Sequence, residues 1–513
     1  MTDLLWILLT LQIAMGAFDT LFHHELTERL AWRPSQKAEL RLHGVRNLIY
    51  AALFLMIAWA EPKGLLAIAV MVLLAVEVVI TLTDFVEEDR TRRLPASERV
   101  THTLLALNYG AILILLAPLL LAWSNQPTTL AATSHGLWSL VASAAAAGVF
   151  VFGLRDLAAS ERSDRLVQPD AALMGRELPG RRRVLVTGAT GFIGRRLIEA
   201  LTGAGHEVIA LVRNPKTADL AAPITVITDL NQIAHDTRID AVVNLAGEPI
   251  SDGLWTLAKR RRILRSRLKV TRDLRRLIAR LERRPEVLVS GSAIGWYGLH
   301  ADEILDETGP ANPCFSHRLC DAWENAAAPV EAMGVRVVTL RIGLVLGAGG
   351  GMLSRLLTPF EFGLGGPMGS GRQWMSWITH DDCVRLILHA VAEPRVRGAM
   401  NAVAPQPATN RDFARALGRA LHRPALLAAP AAPLRLALGA FADELLLGGQ
   451  RIMPAKALAT GFRFRHPDLD SAFAAIVGAR PRRATGVKGY DRLSWSAAGP
   501  AAAHVEGDLS SRP

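Results

Sequence analysis

The chain has 513 residues, 50% of them hydrophobic and 20% charged, with a mean hydropathy of +0.23. Its formal charge of +11 is not interleaved with aromatics, which argues against nucleic acid as a partner and for an anionic membrane surface. Three cysteines (Cys314, Cys320 and Cys383) are too few for a disulfide framework or a zinc cluster and fit a reducing compartment.

The apolar excess lies before about residue 155. Five segments stand out, at residues 4–22, 45–60, 64–83, 103–123 and 136–154. Four approach the ~20 residues that cross a bilayer; the second is short. The first lacks a basic leader and a small-residue cleavage site, so it reads as a span. Arg29, Arg33, Lys37 and Arg41 follow the first segment, Arg90, Arg92, Arg93 and Arg99 the third, and Arg155, Arg162 and Arg165 the fifth. Residues 124–135 carry no Lys or Arg. The positive-inside rule then predicts five spans in a bacterial-type inner membrane, with the N-terminus outside and the remainder cytoplasmic.

Polar residues punctuate these segments. Asp19 and His23 are four apart, with His24 and Glu25 adjacent; Glu39 and His43 are four apart; Glu77 and Asp84 follow on the third segment, and His102 opens the fourth. Either they anchor helix ends and pair with nearby arginines, or Asp19, His23, His24, His43 and His102 contribute to a metal, haem or proton-relay site. Residues 156–180 read as a polar linker, broken by Pro169 and Pro179.

The stretch RVLVTGATGFIGRRLIEAL, at residues 183–201, predicts a buried strand, a tight glycine turn and a helix. Gly188, Gly191 and Gly194 let the backbone approach a pyrophosphate at the helix N-terminus, the pattern of a dinucleotide site. Further strands are expected at residues 206–212, 224–227, 240–245, 286–290 and 335–341, alternating with helices. That alternation predicts an α/β fold, a Rossmann-like doubly wound parallel sheet, over residues 181–425. An all-α transmembrane domain of about five helices, residues 1–155, precedes it. No acidic residue closes the second strand; Arg213 stands there instead, which favours the 2′-phosphate of NADP over NAD. Arg195 is a further candidate partner for that phosphate.

The stretches TGATGFIG, NLAG at 244–247 and SGSAIGWYG at 290–298 resemble the extended short-chain dehydrogenase/reductases of the NAD-dependent epimerase/dehydratase type. NLAGEPISDGLW, GLGGPMGSGRQWMSWITHDD, ADELLLGGQR and GFRFRHPDLDSAF resemble an atypical branch of that family, whose members are called epimerase family proteins or SulA-like. The resemblance runs from about residue 183 to 477 and leaves out the apolar N-terminal region. It implies that Gly188, Thr190, Gly191, Phe192, Ile193 and Gly194 line the pyrophosphate, that Asp229 and Leu230 sit by the adenine, and that Leu245, Ala246 and Gly247 follow the nicotinamide side. It also implies that Ser292 is the serine that hydrogen-bonds a substrate carbonyl or hydroxyl.

One departure matters. The family's Tyr-x-x-x-Lys pair is missing, and Ser316 and Cys320 align with its positions in FSHRLCDAWE. Tyr297 or His317 would then substitute as the proton-transfer group, or the cofactor serves structure and sensing alone. Residues 255–284 predict a long helix with thirteen Lys and Arg, read either as a crossover helix with a solvated face or as a face lying on an anionic leaflet. Residues 363–382 resemble a substrate-side segment, in which Arg372 would hold an anionic group and Trp377 would cover it; a structural loop is the alternative. Residues 426–478 resemble the small C-terminal domain of this branch, and 479–513 read as a disordered tail. Two functions remain open: an oxidoreductase or epimerase-like step on a small or lipid-linked substrate, and a non-catalytic NADP-dependent regulator or scaffold, linked to cell division in some family names.

Overall fold

The computed structural model describes residues 2–166, 168–215, 220 and 223–479. Five long helices come first: α1 (Asp3–Phe18), α2 (Lys37–Trp59), α3 (Leu65–Thr91), α4 (Ala96–Ser124) and α5 (Leu137–Ser163). With their flanking turns, all five are long and apolar enough to cross a membrane. Their side chains are arranged inside-out relative to a bundle in water. Leu107, Ile114 and Leu137 point outward at 68–74% exposure, whereas Glu77, Asp84 and Glu98 are wholly buried. α1 continues into wider turns over Asp19–Glu28. A short antiparallel pair, Ala60–Lys63 with Thr129–Ala132, ties the α2–α3 connection to the α4–α5 connection.

The helices overrun the apolar segments. α2 starts at Lys37 rather than near residue 45, and α5 runs on to Ser163, into the stretch read as linker. Hydropathy falls where Glu39, His43 and Asp156 begin, but these residues are buried between helices, so the backbone keeps its helical hydrogen bonds.

After the short helix α6 (Ala171–Gly175), seven strands form one parallel sheet: β1 (Arg183–Thr187), β2 (Glu207–Leu211), β3 (Thr225–Ile227), β4 (Ala241–Asn244), β5 (Val287–Ala293), β6 (Arg336–Ile342) and β7 (Gly398–Ala402). Their order is β7-β6-β5-β4-β1-β2-β3, with every neighbour parallel. Alternating residues feed two layers. Val184, Val186, Val208, Ala210 and Val289 face α7 (Phe192–Gly203), while Leu185, Ile209, Val242 and Leu288 face α8 (Leu257–Arg280). α9 (Phe315–Ala327) and α10 (Leu353–Glu361) follow, and α11 (His380–Ala392) packs beside α7.

The strand β7 has no counterpart in the sequence reading. GAMNA holds no β-branched residue, and it becomes a strand because β6 offers an open edge that buries Met400 and Ala402. The C-terminal segment is pinned by Asp382, whose buried carboxylate accepts the amide N–H groups of Arg465 and His466, each at 3.0 Å. The tail read as disordered lies, from residue 480, outside the described residues.

Helix α10 meets the apolar bundle. The Glu361 carboxylate accepts from Arg155 at 2.9 Å and from Arg162 at 2.7 Å; Arg155 also grips Glu25, and Arg29 donates to Ser354 at 2.9 Å.

Candidate functional site

The glycine turn joins β1 to α7 at the point where the sheet order reverses, with β2 on one side of β1 and β4 on the other. Ligands bind in doubly wound sheets at this switch point. Gly188 has φ +72°, and a Cβ there would stand 2.6 Å from the Leu245 carbonyl carbon. At Gly194 it would stand 2.2 Å from the Gly188 carbonyl oxygen. The turn is thus folded directly onto the first turn of α7 and onto the chain leaving β4. A buried hydroxyl latches the two strand ends. Thr187 Oγ1 donates to Asn244 Oδ1 at 2.7 Å and accepts the Ala246 N–H at 3.3 Å, and Asn244 Nδ2 donates to Thr271 at 3.0 Å.

Around this core the sequence candidates separate. Thr190 presents its carbonyl to Arg195 Nε at 3.1 Å. The Phe192 ring stacks on His380 at a centroid distance of 3.8 Å, and His380 Nε2 contacts the Phe192 carbonyl at 2.9 Å. Burial pushes His380 down to about 4, so the ring is neutral. Ile193 packs against the core. Arg213 is exposed just beyond β2. Asp229 caps a short 3₁₀ turn, accepting the Asn231 N–H at 2.8 Å, and the Leu230 side chain lies in the core. Past Leu245 and Ala246, Gly247 lies under the Arg267 guanidinium, which a Cβ would meet at 2.8 Å. Arg267 in turn donates to the Glu248 carbonyl at 3.0 Å.

Ser292 is buried near the carboxyl end of β5, and its Oγ donates to Glu324 Oε1 at 2.7 Å. Two further bonds of 3.0 Å hold that carboxylate on Arg341, which lies 3.4 Å above the Trp296 ring. This Ser–Glu–Arg chain is absent from the sequence reading. Helix spacing carries its signal, because Glu324 lies four residues after the buried Cys320 and adjoins the buried Trp323 on α9.

Two expected site residues have other work. Tyr297 is wholly buried, donates its hydroxyl to Asn401 at 2.8 Å, and is pushed up by burial, so it does not replace the missing tyrosine in this conformation. Trp377 is a wholly buried core residue, with its indole N–H on the Gln406 carbonyl at 3.1 Å, rather than an exposed ring beside Arg372. Arg372 remains exposed on the same segment. At the aligned Tyr and Lys positions, Ser316 donates to Glu444 at 2.7 Å, and burial pushes the Cys320 thiol up to about 12.

Residues 184–402 match the sequence profile of the NAD dependent epimerase/dehydratase family, and 429–476 match a domain of unknown function, DUF1731. A Mycobacterium bovis relative, epimerase family protein Mb2239, is 38% identical over 300 residues, covering 56% of this chain and 95% of its own. The chain belongs to this family. YfhF of Bacillus subtilis, another epimerase family protein, is 36% identical over 58% of this chain and 98% of its own. The solved structure of human epimerase family protein SDR39U1 with NADPH is 35% identical, with a TM-score of 0.53 over 57% of this chain and 99% of that one. A nicotinamide dinucleotide site on a Rossmann-like sheet is therefore a property of the family and of this chain's glycine turn alike. The five apolar helices lie before the first residue matched by the profile.

Proposed function

We infer that this protein is an NADP(H)-dependent oxidoreductase or epimerase-like enzyme held at a membrane, acting on a small or lipid-linked substrate. The observation that carries the catalytic reading is the Ser292–Glu324–Arg341 chain near the carboxyl end of β5. Bound NADP(H) supplies or accepts the hydride. In the oxidising direction Ser292 accepts the hydrogen bond of the substrate hydroxyl and relays its proton to the Glu324 carboxylate kept in place by Arg341. In the reducing direction Glu324, first protonated from solvent, returns that proton through Ser292 to the carbonyl oxygen. Arg372, exposed on the family's substrate-side segment, is available to hold an anionic group. The five helices, the basic loops between them and the pairing of α10 with the bundle support a bacterial-type inner membrane, with the nucleotide site on the cytoplasmic side.

NADP is preferred because Arg213 stands where an acidic residue would bind a ribose 2′-hydroxyl, and because the human relative was solved with NADPH. Arg213→Ala is expected to weaken NADPH binding by about tenfold to a hundredfold and NADH binding hardly at all, as a lost charge-assisted bond predicts. Equal losses for the two nucleotides refute the assignment.

The catalytic reading is tested by following NADPH oxidation by the full chain in detergent micelles against polyprenyl and lipid ketones and aldehydes. Ser292→Ala should lower kcat roughly 100-fold to 1,000-fold with NADPH affinity unchanged, within the usual range for removing a proton-transfer group. A second reading, a non-catalytic NADP-dependent regulator, is favoured by the commitment of the Tyr297 and Ser316 hydroxyls to Asn401 and Glu444. Tight NADPH binding with no turnover across the panel selects it.

A further inference from the structure

The bundle of α1–α5 holds a second centre that the nucleotide site does not use. A cavity of about 600 Å³ runs between the helices. Much of its wall is aliphatic or aromatic, including Leu5, Leu53, Phe54 and Leu116, but one part is lined by Asp19, His24, His43, Asp84, Glu88 and His102. Glu39, Glu98 and Arg92 stand directly behind them. These residues come from the turns after α1 and from α2, α3 and α4, so only the folded bundle assembles them.

The spacing suits an ion. His24 Nε2 lies 3.3 Å and His102 Nε2 3.1 Å from Asp19 Oδ2, and His24 Nε2 lies 3.6 Å from Glu98 Oε1. Ligands about 2.0–2.2 Å from one metal ion stand roughly 3.0–3.5 Å from each other. Asp19, His24, Glu98 and His102 each offer a ligand atom, all mutually within 4.8 Å. His24, Glu39, His43 and Glu88 form a second such set that shares His24.

Neighbouring groups orient the ligands as second partners do in metal sites. His23 Nδ1 contacts Asp19 Oδ1 at 2.8 Å, and His102 Nδ1 faces Glu88 Oε2 at 3.3 Å. The His24 ring is fixed by stacking on His43, with centroids 4.7 Å apart and planes 4° from parallel. Arg92 bonds Glu39 at 2.9 Å and Glu98 at 2.7 Å.

One observation in particular points to a ligand. His24 is 7% exposed, yet its Nε2 makes no hydrogen bond and only faces the Asp19 and Glu98 carboxylates, at 3.3 and 3.6 Å. An unsatisfied buried polar atom is costly, and this one is aimed at two carboxylates. The carboxylates of Asp19, Glu39, Asp84, Glu88 and Glu98 are buried among the guanidiniums of Arg46 and Arg92 and the imidazoles of His23, His24, His43 and His102. A metal ligand must be a neutral imidazole, so with His24 and His102 neutral a divalent cation would supply the positive charge that they do not.

We propose that the bundle binds a first-row transition-metal ion through Asp19, His24 and His102, with Glu98 completing the set, at the polar wall of the cavity. The donors are imidazole and carboxylate without thiolate, which suits iron, manganese or zinc. The centre requires neither the glycine turn nor Ser292.

The test is elemental analysis of the full chain, purified in detergent without chelator and then equilibrated with Fe²⁺, Mn²⁺ or Zn²⁺ and desalted. At least about one ion per chain is expected for one of the three. His24→Ala and His102→Ala should each lose it while NADPH affinity is kept. Metal-free parent protein after equilibration overturns the proposal, as does full retention by both variants. Where a variant fails to fold, thermal unfolding of the parent decides. A fall in Tm with EDTA, restored by the metal, supports the site, and a Tm indifferent to both overturns it.

Discussion

Gly194→Val is expected to weaken NADPH binding at least about a hundredfold, a loss of roughly 2.7 kcal/mol. The argument is steric and local. Even the Cβ of alanine would lie 2.2 Å from the Gly188 oxygen and 2.9 Å from its carbonyl carbon, both backbone atoms of the turn itself. Backbone cannot rotate aside as a long side chain can, so α7 must retreat from the turn or the turn must open. Either movement carries the free N–H groups at the start of α7 away from the pyrophosphate they would hold. Gly188 cannot yield cheaply, because its own φ of +72° and its contact with Leu245 fix it from the other side. The helix should survive, since Leu197, Ile198 and Leu201 anchor it in the core with no exposure above 1%. Fluorescence titration with NADPH and far-UV circular dichroism together check this. Lost binding with retained helicity is the expected result, and parental affinity in the variant would mean that the turn is not the nucleotide site.

How legible this protein was follows from which forces act locally. The glycine turn and the strand–helix alternation are local patterns, and the parallel seven-stranded sheet follows them closely. The strand β7 is different. It exists through an edge offered by β6, which no property of GAMNA announces. Trp377 and Tyr297 misled for a related reason. By sequence Trp377 suits a ligand wall and Tyr297 a substitute proton-transfer group, yet both side chains end in the core once distant segments supply Gln406 and Asn401 as hydrogen-bond partners. The polar residues of the bundle were visible individually, as were their helical spacings. Their convergence was not, because it depends on how α2, α3 and α4 rotate against one another, which long apolar stretches leave unspecified. Charge partners distant in sequence are the hardest case. Neither Ser292 with Glu324 nor Arg155 with Glu361 could be paired without the fold.

Arg155→Met is expected to destabilise the protein by about 3–5 kcal/mol, the usual cost of removing one partner from a buried ion pair. Arg155 is 9% exposed and joins two carboxylates, Glu25 beyond α1 and Glu361 at the end of α10, so its loss leaves Glu25 without an ion-pair partner among the described residues and Glu361 with Arg162 alone. Arg162 rescues only part of the site. It reaches Glu361 at 2.7 Å, stacks 3.8 Å over Trp32 and makes no ion pair with Glu25 among the described residues. Burial alone would raise the Glu361 carboxyl, but Arg155 and Arg162 overcome this and hold it below its ordinary 4.5. The sign follows by linkage. A carboxylate depressed in the folded state contributes its stability above the unfolded value, and that stability is lost as pH falls through the folded value. The contact between α10 and the bundle should therefore hold above the ordinary 4.5 and weaken progressively as pH falls below it, through the lowered value of the folded state. Thermal unfolding in detergent across that range measures it. The parent should lose Tm steeply at the acid end, and the Arg155→Met protein should start lower and fall less. Equal acid slopes in the two proteins would show that this ion pair does not couple the apolar bundle to the nucleotide-binding fold.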